Sequence, residues 1–106
     1  MAYEELHDDN FDDKLKQVKG LLVVEFWAPW CGPCKLFAQV FDKASEELTD
    51  FEFAKVNTDE AQGITQRYAI RSVPTIMIFK NGLEVDRFSG VFNREQFEAK
   101  LRMHLD

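Results

Sequence analysis

From Leu21 to Trp27 the chain reads Leu-Leu-Val-Val-Glu-Phe-Trp, with Glu25 the single polar residue. A strand that apolar has no face for water and belongs inside a sheet covered on both sides. Covering both faces takes helices, so this run commits the chain to a layered α/β architecture.

The flanking sequence supplies the layers. Tyr3 to Leu6 reads as a short first strand. Asp9 is the expected N-cap of a helix carrying Phe11, Leu15 and Val18 on one face. Asp12 and Asp13 lie early in that helix and Lys16 and Lys19 late, complementing its dipole, with Gly20 as a natural stop. From Cys34 onward, Phe37, Ala38, Phe41, Ala44 and Leu48 recur at helical spacing, which predicts a long amphipathic helix to about Thr49. Phe51 to Val56 reads as a strand, and Thr58 as the cap of a short helix carrying Ala61, Ile64 and Tyr68. Thr75 to Phe79 reads as a strand meeting Asn81-Gly82, a strong hairpin signal, so Leu83 to Phe88 should return antiparallel. Asn93 with Gln96 three residues on resembles a capping box, opening a last helix with Phe97 and Leu101 inward. The order β-α-β-α-β-α-β-β-α implies a mixed five-stranded sheet sandwiched by four helices. With ten phenylalanines and 45% apolar residues, 106 residues suffice for one packed domain spanning 1–106.

Charge narrows the function. A net charge of −6, without a basic run, repels polyanions, so neither nucleic acid nor an anionic membrane is an expected partner. No apolar run approaches a membrane span, and the N-terminus lacks the pattern of a secretory leader, so a cytoplasmic setting is expected. In a reducing compartment, two cysteines are more often catalytic or metal-binding than structural.

Both cysteines fall in Trp30-Cys31-Gly32-Pro33-Cys34, where the apolar strand hands over to a helix. Thiols at that spacing can close a disulfide within one helical turn and open it again. Exchange needs an attacking thiolate. Cys31 lies at the helix start, where unpaired N–H groups and the dipole favour negative charge, so Cys31 should attack. Cys34, one turn further in and more enclosed, should resolve the mixed disulfide. Pro33 fits the first turn because its missing N–H would have had no intrahelical partner. The alternative readings are two inert core thiols or half of a zinc site, but the only other candidate zinc ligands, His7 and His104, lie near the chain ends. No bound metal is expected.

Trp27-Ala28-Pro29-Trp30-Cys31-Gly32-Pro33-Cys34-Lys35, Val73-Pro74-Thr75 and Phe79-Lys80-Asn81-Gly82 together resemble the thioredoxin family, and the match in element order covers nearly the whole chain. The resemblance implies the thioredoxin fold and a reductant of protein disulfides. It implies no bound cofactor, but a redox-active Cys31–Cys34 disulfide recharged by a flavin-dependent thioredoxin reductase, in a protein expected to be monomeric. It also implies that Pro74 is cis and faces the cysteines, with Val73 offering backbone hydrogen bonds to an extended client segment. Trp30, Gly32, Pro33, Val73, Pro74, Gly90 and Val91 would line a shallow apolar docking surface, and Trp27 would pack beneath it. Other readings on the same scaffold are a binding module with incidental thiols, or a disulfide oxidant or isomerase. The Gly-Pro between the cysteines favours the reductant.

The sequence departs from the family at Glu25, where an aspartate is usual as proton acceptor for the resolving cysteine. A carboxyl in a buried strand is costly, so its pKa should rise unless it is paired. The extra methylene leaves two outcomes: Glu25 reaches Cys34, or it turns toward Lys55, which matches a family lysine near this acid. Gln39 stands where a helix-kinking proline is common, so a straighter helix is expected. Asp59 matches a position near the site and equally suits the first turn of a helix.

Overall fold

The structure, a computed structural model, describes residues 2–105. Its elements are β1 (Tyr3–Leu6), α1 (Phe11–Gln17), β2 (Leu21–Trp27), α2 (Gly32–Glu47), β3 (Phe51–Asn57), α3 (Gln62–Arg67), β4 (Thr75–Lys80), β5 (Leu83–Ser89) and α4 (Arg94–Arg102). The sheet order is β1-β3-β2-β4-β5, with β1, β3 and β2 parallel, β4 antiparallel to β2 and β5 antiparallel to β4. The expected mixed five-stranded sheet with four helices is therefore present, and the apolar run Leu21–Trp27 lies at its centre.

Side-chain alternation along β2 divides the core. Leu22, Val24 and Phe26 point into one cluster with Phe11, Val56, Ile64, Met77 and Phe79. Leu21 and Val23 point into the other, with Phe53 and Ile78 from the sheet and Phe37, Phe41, Phe97 and Leu101 from α2 and α4. The second cluster is knit by ring contacts, Phe37 against Phe97 at 5.0 Å and Phe41 against Phe53 at 5.5 Å. Burying one such ring contributes roughly 1.5–3 kcal/mol. The same period of two puts Glu25 on the side of Leu21 and Val23, beneath α2. That parity positions the site.

Turns and caps follow local chemistry in most places. Asn81 (φ +52°) and Gly82 (φ +85°) form the primed turn between β4 and β5. Asn93 and Gln96 form the full capping box of α4. Two expected caps are corrected. Asn10, not Asp9, precedes α1, and its side chain accepts the His7 N–H instead of a helical one. Thr58 does not cap α3, which begins later; its hydroxyl donates to the Trp27 carbonyl. Instead the Asp8 carboxylate accepts the Gly63 and Ile64 N–H groups from across the fold, at 3.0 and 2.9 Å. The α2 helix starts at Gly32 and ends at Glu47, slightly earlier than its periodicity suggests, and continues unbroken through Gln39.

At the end of α3, Ile70 donates to the Thr65 carbonyl and Ala69 to that of Gln66, the bond pair of a Schellman cap. Its left-handed position is occupied by Ala69 (φ +53°) rather than glycine. A Cβ in that conformation costs roughly 1–2 kcal/mol, and glycine gives back about 0.4–1 kcal/mol through the looser unfolded chain. Ala69→Gly is expected to raise the unfolding free energy by up to about 1 kcal/mol, read as a higher denaturant midpoint at unchanged m-value. A lower midpoint would mean that the Ala69 methyl makes contacts worth more than the strain.

Candidate active site

The site begins where β2 ends. Past Trp27, a turn closed by the Cys31 N–H to the Ala28 carbonyl delivers Cys31 in extended conformation as the N-cap of α2. Pro33 occupies the first turn, and Cys34 begins the buried face of the helix. The two cysteines form a disulfide, with Cα atoms 5.3 Å apart. Cys31 Sγ also accepts the Cys34 backbone N–H at 3.1 Å, taking the part a serine or aspartate oxygen plays in an ordinary cap. The two residues are equally enclosed, at 4% and 3% exposure, so burial does not distinguish them as the sequence suggests. Position on the helix does.

Across from the disulfide lies the segment entering β4. The Val73–Pro74 peptide is cis, the Val73 carbonyl oxygen lies 3.6 Å from Cys31 Sγ, and the Pro74 carbonyl accepts the Gly90 N–H. A groove of about 520 Å³ runs between this segment and Cys31. Trp30, Gly32, Pro33 and Val73 line it, whereas Pro74, Gly90 and Val91 do not. Trp30 is 70% exposed, and its indole N–H donates to Asp59 at 3.3 Å. Asp59 precedes α3, so it stands at the site rather than in a helical turn. The sequence did not single out the far wall, Ile70-Arg71-Ser72, because it follows a helix end with no motif of its own. Trp27 packs with Ala28, Val73 and both cysteines, beneath the groove as expected.

Behind the disulfide is a second cavity of about 220 Å³, lined among others by Cys34, Glu25, Lys55, Glu5 and Lys35. Glu25 is 1% exposed, and its Oε2 has no hydrogen-bond partner among the described residues. Burial pushes its carboxyl up to about 8; nearby Lys55 opposes that rise, while Asp42 and Glu5 add to it. Of the two outcomes open for Glu25, neither is complete. It shares a cavity with Cys34, and its Oε1 lies 3.8 Å from Lys55 Nζ, a loose contact. Lys55 sits closer to Asp42, at 2.7 Å, and its ammonium lies 4.3 Å from the Tyr3 ring centroid. Burial weakens the hold of Lys55 on its proton, but the bond to Asp42 and the charge of Glu25 outweigh this and push its pKa up. The sequence missed Asp42, although it follows Cys34 and Ala38 at steps of four along one helix face.

Comparison with known proteins matches this geometry to a family. The family model described as Thioredoxin matches residues 2–103. The chain belongs to the thioredoxin family. It is 40% identical to chloroplastic thioredoxin M4 of Arabidopsis thaliana over 94% of its own length and 52% of that protein. It is 39% identical to thioredoxin 1 of Synechococcus elongatus, covering 92% of each. The crystal structure of Chlamydomonas reinhardtii thioredoxin f2 superposes with a TM-score of 0.90 at 32% identity, over 97% of this chain and 96% of that one. The chain thus spans about half of the Arabidopsis relative and nearly all of the other two. With its Cys31–Cys34 disulfide, it is a thiol–disulfide oxidoreductase of the protein-disulfide reductase type. Among the described residues, no group of His, Cys, Asp and Glu side chains is placed to hold a metal ion, and no helix is long and apolar enough to cross a membrane.

The Glu25 carboxyl makes stability depend on pH. Between its ordinary 4.5 and about 8, the folded chain keeps a proton that the unfolded chain has lost. Stability therefore falls as pH rises through that window. Glu25→Gln removes the ionisation, so the stability of the variant relative to the parent should grow between about pH 5 and pH 8. The expected gain is on the order of 3 kcal/mol, measured by denaturant unfolding of the oxidised proteins. A difference that stays flat over this range would mean that Glu25 is ionised in the folded chain.

Proposed function

We propose that Cys31 is the attacking sulfur, Cys34 the resolving sulfur and Glu25 the proton carrier of a protein-disulfide reductase. The observation that carries the reading is the bond from the Cys34 N–H to Cys31 Sγ at the start of α2. That donor and the helix dipole stabilise charge on Cys31 after reduction. The Cys31 thiolate attacks one sulfur of a client disulfide, forming a mixed disulfide and releasing the other client sulfur as a thiolate. Cys34 then passes its proton to the Glu25 carboxylate and attacks Cys31 Sγ. The Cys31–Cys34 disulfide closes, the second client sulfur leaves as a thiolate, and two electrons have passed to the client.

A carboxyl raised to about 8 suits this step. Its proton affinity lies near that of a free thiol, about 8.5, so the proton can cross in either direction. Their common cavity is roomy enough for a bridging water. Val73, beside the cis Pro74, presents its backbone to an extended client in the groove formed with Trp30, Gly32 and Pro33. Gly90 and Val91 serve at the rim, with Gly90 tied to the Pro74 carbonyl. Lys55 tunes Glu25 through its charge. The reading includes a monomer in a reducing, cytoplasmic setting, recharged by a flavin-dependent reductase, and it is supported by a chain whose only cysteines are the exchanging pair.

Insulin reduction coupled to a reductase and a nicotinamide donor tests the activity. The parent chain is expected to turn over and Cys31→Ser to fall to background. Cys34→Ser should accumulate a covalent adduct that mass spectrometry places on Cys31. An adduct formed instead by Cys31→Ser, through Cys34, would reverse the roles. No turnover by the parent would leave a binding module as the better description.

A further inference from the structure

Resting on the reading of Glu25 as proton carrier, we propose that Asp42 is a positioning residue that draws the Lys55 ammonium to the outer end of the cavity and leaves Glu25 without a close cationic partner. The geometry is a competition for one cation. Glu25 and Lys55 are register partners on β2 and β3, so an unopposed lysine would pair with the acid beside it. It does so only loosely. Lys55 Nζ makes a close ion pair with Asp42 Oδ1 at 2.7 Å and a loose one with Glu25 Oε1 at 3.8 Å, and Glu25 Oε2 has no hydrogen-bond partner among the described residues.

The rest of the cage reinforces this placement. From β1, the Tyr3 ring lies 4.3 Å from the ammonium, and Phe41 on α2 contributes a second ring at 5.4 Å. Glu5 on β1 faces Lys55 in register from the side away from Glu25, and Lys35 on α2 lines the same cavity. On the β4 side, the register partner of Glu25 is the apolar Ile76. The charged groups that act on Glu25 are therefore Lys55, Asp42 and Glu5, and Lys35 and Cys34 line the same cavity.

The consequence is chemical. A buried carboxylate in contact with an ammonium would hold its charge and become a poor proton carrier for a thiol. By holding Lys55 at a distance, Asp42 keeps the Glu25 carboxyl in the range where it can exchange a proton with Cys34. Asp42 touches neither the disulfide nor a client in the groove, because it lies further along α2 and half-exposed at the surface.

Two readouts separate this inference from the reading it rests on. The first is the titration of the Glu25 carboxyl in the oxidised protein, followed by infrared difference spectra with Glu25→Gln as the band assignment. Asp42→Asn, a change at a half-exposed helix position, is expected to move the midpoint down by about one pH unit as Lys55 turns to Glu25. Asp42→Glu should keep it near the parent value. In a Lys55→Gln background, Asp42→Asn should move it much less. An unmoved midpoint overturns the proposal. So does an equal shift with Lys55 absent, which would mean that Asp42 acts through its own charge. The second readout is the pH profile of resolution by Cys34 of a preformed mixed disulfide on Cys31. A profile that moves with the carboxyl supports both statements. A moved carboxyl with an unmoved profile upholds the action of Asp42 on Glu25 and overturns Glu25 as the proton carrier.

Discussion

Everything at the site hangs on the handover from β2 to α2, where the Cys34 N–H meets Cys31 Sγ and a sulfur serves as the cap of a sixteen-residue helix. A helix start has backbone donors with no partner inside the helix. Giving one of them to a cysteine sulfur satisfies the helix and prepares that sulfur for charge. The geometry needs rigid parts on both sides. The central strand β2 is paired along its length with β3 and β4, and the aromatic cluster around Phe37, Phe41 and Phe97 fastens α2 to the sheet. The core is thus what holds the sulfur in register with the donor.

The same strand carries the opposite tension. Glu25 is a carboxyl in a layer otherwise filled by Leu21, Val23, Ile76 and Ile78, and burying it without a good partner costs stability at neutral pH. A purely structural solution was within reach, since the lysine beside it on β3 could form a tight ion pair. The fold instead lends that lysine to Asp42 and to the face of Tyr3. The result is an acid with a high proton affinity facing the same cavity as Cys34. Stability is given up at a carboxyl that shares its cavity with Cys34, the placement the proposed proton transfer needs.

Most of the fold was legible because its signals are local. The apolar run at Leu21, the Asn81-Gly82 turn and the Asn93–Gln96 box each act within a few residues, and each appears as read. Two of the misreadings share one cause. Asp8 caps α3 from over fifty residues away, and it displaces Thr58, the residue a local reading favours. The ion pair of Asp42 with Lys55 likewise joins a helix to a strand that periodicity treats separately. At the site, the cysteine pair was legible from its spacing and the burial of Glu25 from the apolar strand around it. The relative enclosure of Cys31 and Cys34 was not, since the turn at Ala28 folds Cys31 back into the surface to the same depth as its partner.

The most direct test of the account is the ionisation of each sulfur in the reduced protein, followed by the ultraviolet absorption of thiolate in Cys34→Ser and in Cys31→Ser. Cys31, alone at the helix start, is expected to ionise below the free-thiol value of about 8.5, and Cys34, alone in the apolar layer beside Glu25, above it. The opposite order would contradict the account, because the helix terminus would then not be what prepares the attacking sulfur.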